Sequence, residues 1–164
     1  MIDTSGMMDI GSLSDSGVDN ISELLILANK AQLFLMSHDW CKSILEGKFD
    51  RGWCYIVAVF YFVIEPTYTN VPITHWIIVG DLPSAYIDTD DNPNGACAID
   101  GYVMEMEKWV DAVVAGESVE ELIPVNVPPS MQYAIMLQGR LKTIREDILY
   151  PLRDELTCIR RRGD

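Results

Sequence analysis

An acidic loop before the longest predicted helix carries the oxygen ligands that a hard cation prefers. Asp88, Asp90 and Asn92 occupy the first three alternating positions of a calcium-binding loop. Pro93 stands where such a loop needs glycine, and Ile99 stands where it needs a bidentate glutamate. The pattern therefore predicts a solvated turn that leads into a helix, and we assign it no metal and no other cofactor.

A histidine and a cysteine one helical turn apart are the second candidate for chemistry. His38 and Cys41 have the spacing of a thiolate–imidazolium pair on a helix. Their neighbours Trp40 and Ile44 indicate packed surroundings rather than an open cleft, and the other histidine, His75, lies in a strand pattern. Adjacent carboxylates on predicted helices and loops do not span a substrate groove, and the chain has no phosphate-cradling glycine loop. We therefore predict no catalytic residues.

The distribution of charge is the strongest functional signal in the chain. Residues 52–139 contain twelve acids and one base, Lys108, which gives a formal charge of −11 in a chain of −13. Residues 140–162 contain seven bases and four acids. A field of one sign selects partners of the opposite sign and speeds their approach. This field predicts a basic protein partner and argues against nucleic acid or an anionic membrane.

The elements that must position these residues follow from hydrophobic spacing. Residues 1–18 show no periodicity and are predicted to be a flexible tail. An N-terminal helix is expected after Asn20, and a second, short helix is expected at residues 38–47. Each would bury one apolar side, and Trp40 would lie on the buried side of the second.

Three segments rich in β-branched and aromatic residues predict strands. Residues 53–64 are apolar throughout and are expected at the centre of a sheet. Residues 73–79 and the short segment 86–87 supply the other two strands. Since the connections are too short for a crossover, we predict an antiparallel meander of about three strands.

Two main helices are expected in the C-terminal half. Residues 99–113 place their apolar side chains on one stripe, and Gly116 ends that helix. Ser130 begins a last helix with apolar residues at helical spacing. All elements share one core, so the prediction is a single α+β domain at residues 19–159, followed by a frayed basic tail at residues 160–164.

One predicted strand runs directly into a tight turn. The segment from His75 to Pro83 reads HWIIVGDLP, and Gly80 permits a backbone angle that other residues resist. This segment resembles a group of short, uncharacterised bacterial proteins in which a W-[IV]-I-x-G-D-L-P strand precedes an amphipathic helix. The resemblance covers residues 53–115 and implies no activity. In size and acidity the chain is also similar to immunity proteins of bacterial toxin systems.

The predicted binding surface centres on the turn and loop at residues 81–91. It combines acids, which attract a basic partner, with aromatic anchors: Asp81, Asp88, Asp90, Asp91, Trp76, Tyr86 and Tyr102. The predicted function is a non-enzymatic acidic protein that neutralises a basic partner such as a toxin domain. The alternatives are a scaffold or homodimer subunit with its dimer face on the last helix, a nucleic-acid mimic, and an enzyme or metal-dependent protein.

Cysteine usage and hydropathy indicate the compartment. The chain has four widely separated cysteines and no CxxC pair, which predicts free thiols in a reducing cytoplasm: Cys41, Cys54, Cys97 and Cys158. The N-terminus lacks the pattern of a secretory signal, and the longest apolar run is too short to span a membrane. We therefore expect a cytoplasmic protein, and the sequence leaves homo-oligomerisation open.

Overall fold

The computed structural model describes residues 1–54 and 56–158, which fold as an α+β protein. Contacts divide the chain into two compact units, Met1–Thr89 and Asp90–Asp164. The first unit holds the sheet and one long helix, and the second holds the other long helices. The predicted α+β class is confirmed. The single domain at residues 19–159 stays a prediction, and the predicted basic tail at residues 160–164 lies outside the described residues.

The N-terminal segment contains short elements that the sequence does not indicate. Strand β1 (Met8–Asp9) pairs antiparallel with the next strand, and a 3-10 helix follows at Ile10–Asp15. Leu13 in this helix is completely buried. The prediction of a flexible tail at residues 1–18 rests on missing periodicity, and elements this short are below what periodicity can detect.

Within the described residues, five strands form one antiparallel sheet in which each strand pairs with the next along the chain. After β1 come β2 (Cys41–Trp53), β3 (Val57–Pro66), β4 (Thr74–Gly80) and β5 (Ala85–Ile87). The predicted meander is therefore present, with five strands instead of about three. The predicted central strand corresponds to β3, which is buried on both faces over most of its length. Tyr55, part of that prediction, lies outside the described residues.

The predicted short helix at residues 38–47 is wrong, because β2 begins at Cys41. β2 pairs with β3 in a register that sets Ile44 opposite Ile64, and this register shifts at three places along the strand. Each irregularity inserts a residue and changes which side chains face the core. The regular alternation of apolar and polar residues that identifies a strand is therefore lost from the sequence of β2. The spacing of its apolar residues resembles that of a helix instead.

Helix α1 (Ile21–Met36) covers one face of the sheet and confirms the predicted N-terminal helix. Its inward side chains recur at helical spacing and share one core with β3 and β4: Leu24, Ala28, Ala31, Leu35, Phe60, Phe62, Ile77 and Val79. Its outward side leaves Ile26 and Leu33 exposed. This packing fixes the start of the link that carries His38 and Trp40 toward the sheet.

Helix α2 (Gly95–Ala115) is the centre of the second unit, and most of its residues are buried. Asn94 caps its N-terminus, where the side-chain oxygen accepts a hydrogen bond from the Cys97 backbone N–H at 2.9 Å. Gly116 ends the helix in the left-handed conformation, at φ 72°. The predicted helix at residues 99–113 is thus present and extends further toward the N-terminus.

Ser130 caps the N-terminus of helix α3 (Met131–Thr143), where its hydroxyl accepts a hydrogen bond from a backbone N–H of the first turn. It continues as a π-helical segment, Ile144–Leu149, and a 3-10 turn follows at Arg153–Glu155. α2 packs against α3 and against the π-helical segment. None of the helices in the described part of the chain is long and apolar enough to cross a membrane.

Candidate functional site

Tyr86 is the outward side chain of an edge strand. β5 is the last strand in the sheet order and pairs with β4, so that Tyr86 lies opposite Ile77. Ala85 and Ile87 on either side are buried, whereas Tyr86 is 40% exposed. The alternation of a strand therefore presents one aromatic ring to solvent at the edge of the sheet.

Three other rings contact Tyr86 and orient it. The ring centroids of His38 and Trp40 each lie 5.2 Å from that of Tyr86, and the centroid of His75 lies at 6.1 Å. All three contacts are edge-to-face, and Phe34 extends the group through a further edge contact with His38 at 4.9 Å. Such pairs stabilise a defined ring geometry. These five residues, which we call the aromatic cluster, make Tyr86 a pre-ordered contact surface.

Of the aromatic cluster, the sequence identified only Tyr86 as a binding residue. His38 and Trp40 belong to the link between α1 and β2, and His75 belongs to β4. The two histidines were visible as candidates, but their neighbours were not, because the pairing of β4 with β5 brings the rings together. The residue types therefore indicated these histidines as candidates, but their positions in the sequence did not indicate that they would meet Tyr86.

His75 is the buried member of the aromatic cluster. It is 4% exposed, and its Nε2–H donates a hydrogen bond to the Pro72 carbonyl oxygen at 2.8 Å. Burial lowers the pKa of His75 below its ordinary value, and the nearby His38 lowers it further. The imidazole is therefore neutral at pH 7 and acts as a structural donor beneath Tyr86.

The turn between β4 and β5 is fixed by a glycine that no other residue could replace without strain. Gly80 has φ +152°, and a Cβ at this position would lie 2.2 Å from the Ile56 carbonyl oxygen. That same oxygen accepts a hydrogen bond from the Asp81 backbone N–H at 3.0 Å. Lys30 of α1 donates to the Gly80 carbonyl at 3.1 Å. The strand-ending turn predicted from the HWIIVGDLP segment is thus present, and it holds the backbone of Asp81 in place.

The four predicted acids are all exposed. Asp81 precedes β5 and Asp88 directly follows it, both in the first unit, while Asp90 and Asp91 begin the second. Asn92 is 2% exposed, so it does not share the outward orientation of the two acids before it. Among the described residues, no group of three His, Cys, Asp or Glu side chains is arranged to hold a metal ion.

Two of the predicted aromatic anchors lie in the interior. Trp76 is completely buried and packs edge-to-face against Tyr61 at 5.4 Å. Tyr102, on α2, is also completely buried, and burial raises the pKa of its hydroxyl far above the ordinary value. Neither ring can touch a partner in this conformation. Both residues were predicted as anchors because they are aromatic, but the sides of β4 and α2 on which they lie face the core.

The candidate thiolate–imidazolium pair does not form. Cys41 is 5% exposed, and burial raises the pKa of its thiol. Its Sγ hydrogen-bonds to the Met36 sulfur at 3.7 Å and to the Ser43 carbonyl at 3.9 Å, while the His38 ring nitrogen lies 3.3 Å from the Leu35 carbonyl. A buried thiol with a raised pKa is a poor nucleophile.

Cations of the protein pair with the half-buried acids of α2. Arg145 donates to both carboxylate oxygens of Glu107, with Nη2 to Oε2 at 2.9 Å, and this bonding raises the pKa of the guanidinium. Lys108 lies 3.0 Å from Glu105. Across the chain, however, twelve basic residues stand against twenty-five acids, so negative charge is in excess.

Comparison with protein-family models, with curated proteins and with solved structures found no match to this chain. The likeness of residues 53–115 to short bacterial proteins with a W-[IV]-I-x-G-D-L-P strand stays a prediction. The features of this chain that bear on function are the exposed acids, the aromatic cluster and the excess of negative charge.

Proposed function

We propose that this chain is a non-enzymatic acidic protein that binds and neutralises a basic protein partner, as the immunity protein of a toxin does. The contact residues are Tyr86 and the exposed acids Asp81, Asp88, Asp90 and Asp91. One observation carries the proposal: Tyr86 is an exposed ring, held by three neighbouring rings, on an edge strand with exposed carboxylates before and after it.

Such a surface suits the side chains of a basic protein. An arginine or lysine from the partner can stack on the ring of Tyr86 and pair with Asp81 or Asp88. Because the aromatic cluster already fixes the ring, binding costs little side-chain entropy. No lysine or arginine lies between Arg51 and Lys108, so the charged residues of this stretch are acids. This arrangement favours fast association that depends on salt.

The proposal gives the chain no catalytic step and places it in the cytoplasm. Two of the candidate groups for nucleophile or base chemistry, Cys41 and His75, are buried and hydrogen-bonded within the first unit. The proposal places the four cysteines in a reducing compartment, where free thiols persist.

The test is a binding measurement with matched charge variants. A partner is isolated at low ionic strength, identified by mass spectrometry and purified, and its association rate is then measured as a function of salt. The triple variant D88K/D90K/D91K should reduce the association rate by at least tenfold. The control E117K/E120K/E121K makes the same change in net charge at exposed residues elsewhere, and it should have a much smaller effect.

A second pair of variants tests the aromatic contact. Tyr86→Ala should speed dissociation by about tenfold or more, as expected for an aromatic anchor. Tyr68→Ala removes another exposed tyrosine of the first unit and should leave dissociation unchanged. A partner that shows the same kinetics with every variant, or an association rate that is flat across salt concentrations, would contradict the proposal. Competition by DNA for the same partner would favour the nucleic-acid-mimic alternative.

A homodimer is the second candidate, because α3 exposes several large apolar residues: Met131, Tyr133, Ile135 and Met136. Ile135 is 60% exposed, which is far more than a packed helix face allows. Sedimentation of the wild type at micromolar concentration decides whether a dimer exists. Ile135→Glu should dissociate it, whereas Ile26→Glu on α1, 68% exposed, serves as the matched control.

A further inference from the structure

Two cysteines separated by 61 residues meet at the beginning of α2. Cys97 lies in the first turn of the helix and is completely buried, and Cys158 lies half-buried in the C-terminal segment. The backbone N–H of Cys158 donates a hydrogen bond to the Cys97 sulfur, with N and Sγ 3.2 Å apart. Standard bond lengths then limit the separation of their Cα atoms to about 7.5 Å. Disulfides span Cα distances of about 4.4 to 6.8 Å.

Asn94 positions both cysteines through contacts of its own. Its Nδ2 donates to the Glu155 carbonyl at 2.8 Å and lies 3.4 Å from the Thr157 hydroxyl, which holds the C-terminal segment. Its Oδ1 accepts from the Cys97 backbone N–H at 2.9 Å, which caps α2. The Asn94 side chain therefore holds both the start of α2, which carries Cys97, and the C-terminal segment, which carries Cys158. Little movement is needed to bring the two sulfur atoms within bonding distance.

The other two cysteines lie at opposite ends of a strand in the first unit. Cys41 begins β2 and Cys54 follows its end, so the length of a 13-residue strand separates them. That length is about 40 Å. Cys54 is exposed, and its thiol donates to a Glu23 carboxylate oxygen at 2.8 Å. This hydrogen bond raises the pKa of the Cys54 thiol and lowers its reactivity.

We propose that Cys97 and Cys158 form a redox modification site, at which a peroxide joins them into a disulfide that fastens the C-terminal segment to the start of α2. Cys158, the more exposed thiol, loses its proton and attacks one peroxide oxygen. The O–O bond breaks, Cys158 becomes a sulfenic acid, and the leaving hydroxide takes up that proton as water. Cys97 then attacks the Cys158 sulfur, the S–S bond forms, the S–O bond breaks, and the Cys97 proton leaves with the second water.

Two thiols thus lose two electrons and two protons, and one peroxide is reduced to two waters. The new bond closes a loop of 61 residues and restricts the unfolded chain, so the oxidised protein unfolds at a higher temperature. Reduction by a cellular dithiol reverses the change. The site is independent of the proposed partner binding and needs no residue of the aromatic cluster.

Peptide mapping of the full-length protein under non-reducing conditions tests the proposal. After treatment with stoichiometric hydrogen peroxide, the protein should lose two hydrogen atoms in mass and yield a linked peptide pair that contains Cys97 and Cys158. Dithiothreitol should release the pair, and the melting temperature should rise by several degrees on oxidation. Cys54→Ser should behave as the wild type.

Cys158→Ser supplies the control, because it changes a half-buried residue and leaves the buried Cys97 in place. It should yield no linked pair and no rise in melting temperature on oxidation. The proposal is overturned if wild-type protein gives only sulfinic acid, or only intermolecular disulfides through Cys54, under peroxide. Equilibration with glutathione buffers provides a second measurement: the linked pair should form at a defined potential, and its absence at every potential would also overturn the proposal.

Discussion

The acids of α2 and the exposed acids at residues 81–91 differ in what lies around them. Glu107 receives two hydrogen bonds from Arg145, and Glu105 pairs with Lys108 three positions further along the same helix. Asp81 and Asp88, by contrast, are exposed and lie in a stretch without any base. The first group is half-buried beside cations of the same unit, and the second lies exposed at the surface.

This difference shows that acidic residues close in sequence can have separate roles. On a helix, a cation three or four positions away or on a neighbouring helix lies within reach of a carboxylate. Beside an edge strand, a cation must come from a distant part of the chain, as Lys30 of α1 does when it donates to the Gly80 carbonyl. Substitutions in the two regions should therefore differ in their effects on stability and on binding.

Replacing Gly80 by alanine should disrupt the turn that carries Asp81. The added Cβ would lie 2.2 Å from the Ile56 carbonyl oxygen, at a φ of +152° that side chains resist, so the free energy of unfolding should fall by about 3 kcal/mol or more. Urea denaturation measures this. Gly139→Ala, at an open position on α3, should instead stabilise the protein by about 0.5–1 kcal/mol. Equal effects at the two glycines would refute the structural role of the turn.

Lowering the pH should destabilise the protein through His75. Its folded-state pKa lies below the unfolded value of 6.5, so the unfolded chain takes up the proton first and stability is lost as the pH falls below that value. The loss amounts to at most about 1.4 kcal/mol per pH unit. Comparison of urea unfolding at about pH 7.5 and about pH 5.5 measures it. His75→Gln keeps a donor for the Pro72 carbonyl, and it should show a smaller pH dependence than the wild type; an unchanged slope would assign the effect to carboxylates.

Glu107→Gln should weaken the second unit by about 1 kcal/mol, because it removes the charge from a bidentate pair with Arg145 that is only half-buried. Thermal unfolding at low ionic strength measures the change, which should shrink at high salt. Asp111→Asn, an exposed acid on the same helix, is the matched control and should shift the stability less. If Asp111→Asn costs as much as Glu107→Gln, the pairing is not what distinguishes the acids of α2.

Asp90→Asn should have the smallest effect on stability, within about 0.5 kcal/mol of the wild type, because the residue is exposed in a chain with excess negative charge. The same variant should slow the association of a basic partner. Unfolding and binding measured on one sample separate the two roles. A loss of stability as large as that of Glu107→Gln would show that the loop is structural rather than part of a binding surface.

The sequence anticipated the main elements where local patterns were regular. The uninterrupted apolar run led to the central strand β3, and the stripe ending at Gly116 led to α2. It failed at β2, where irregular pairing hides the alternation of the strand. It also assigned Trp76 and Tyr102 to the surface, because residue type carries no information about which side of a strand or helix meets the core.

Composition and order along the chain determined the α+β class, the excess of acids between residues 52 and 139, and the glycine that ends β4, since each depends only on residue identity and neighbours. The tertiary structure decided which acids meet a cation, which tyrosine reaches solvent and which cysteines come together. Those outcomes depend on strand pairing and helix packing between residues far apart in sequence. His38 meets Tyr86, and Cys97 meets Cys158, through contacts that no local spacing encodes.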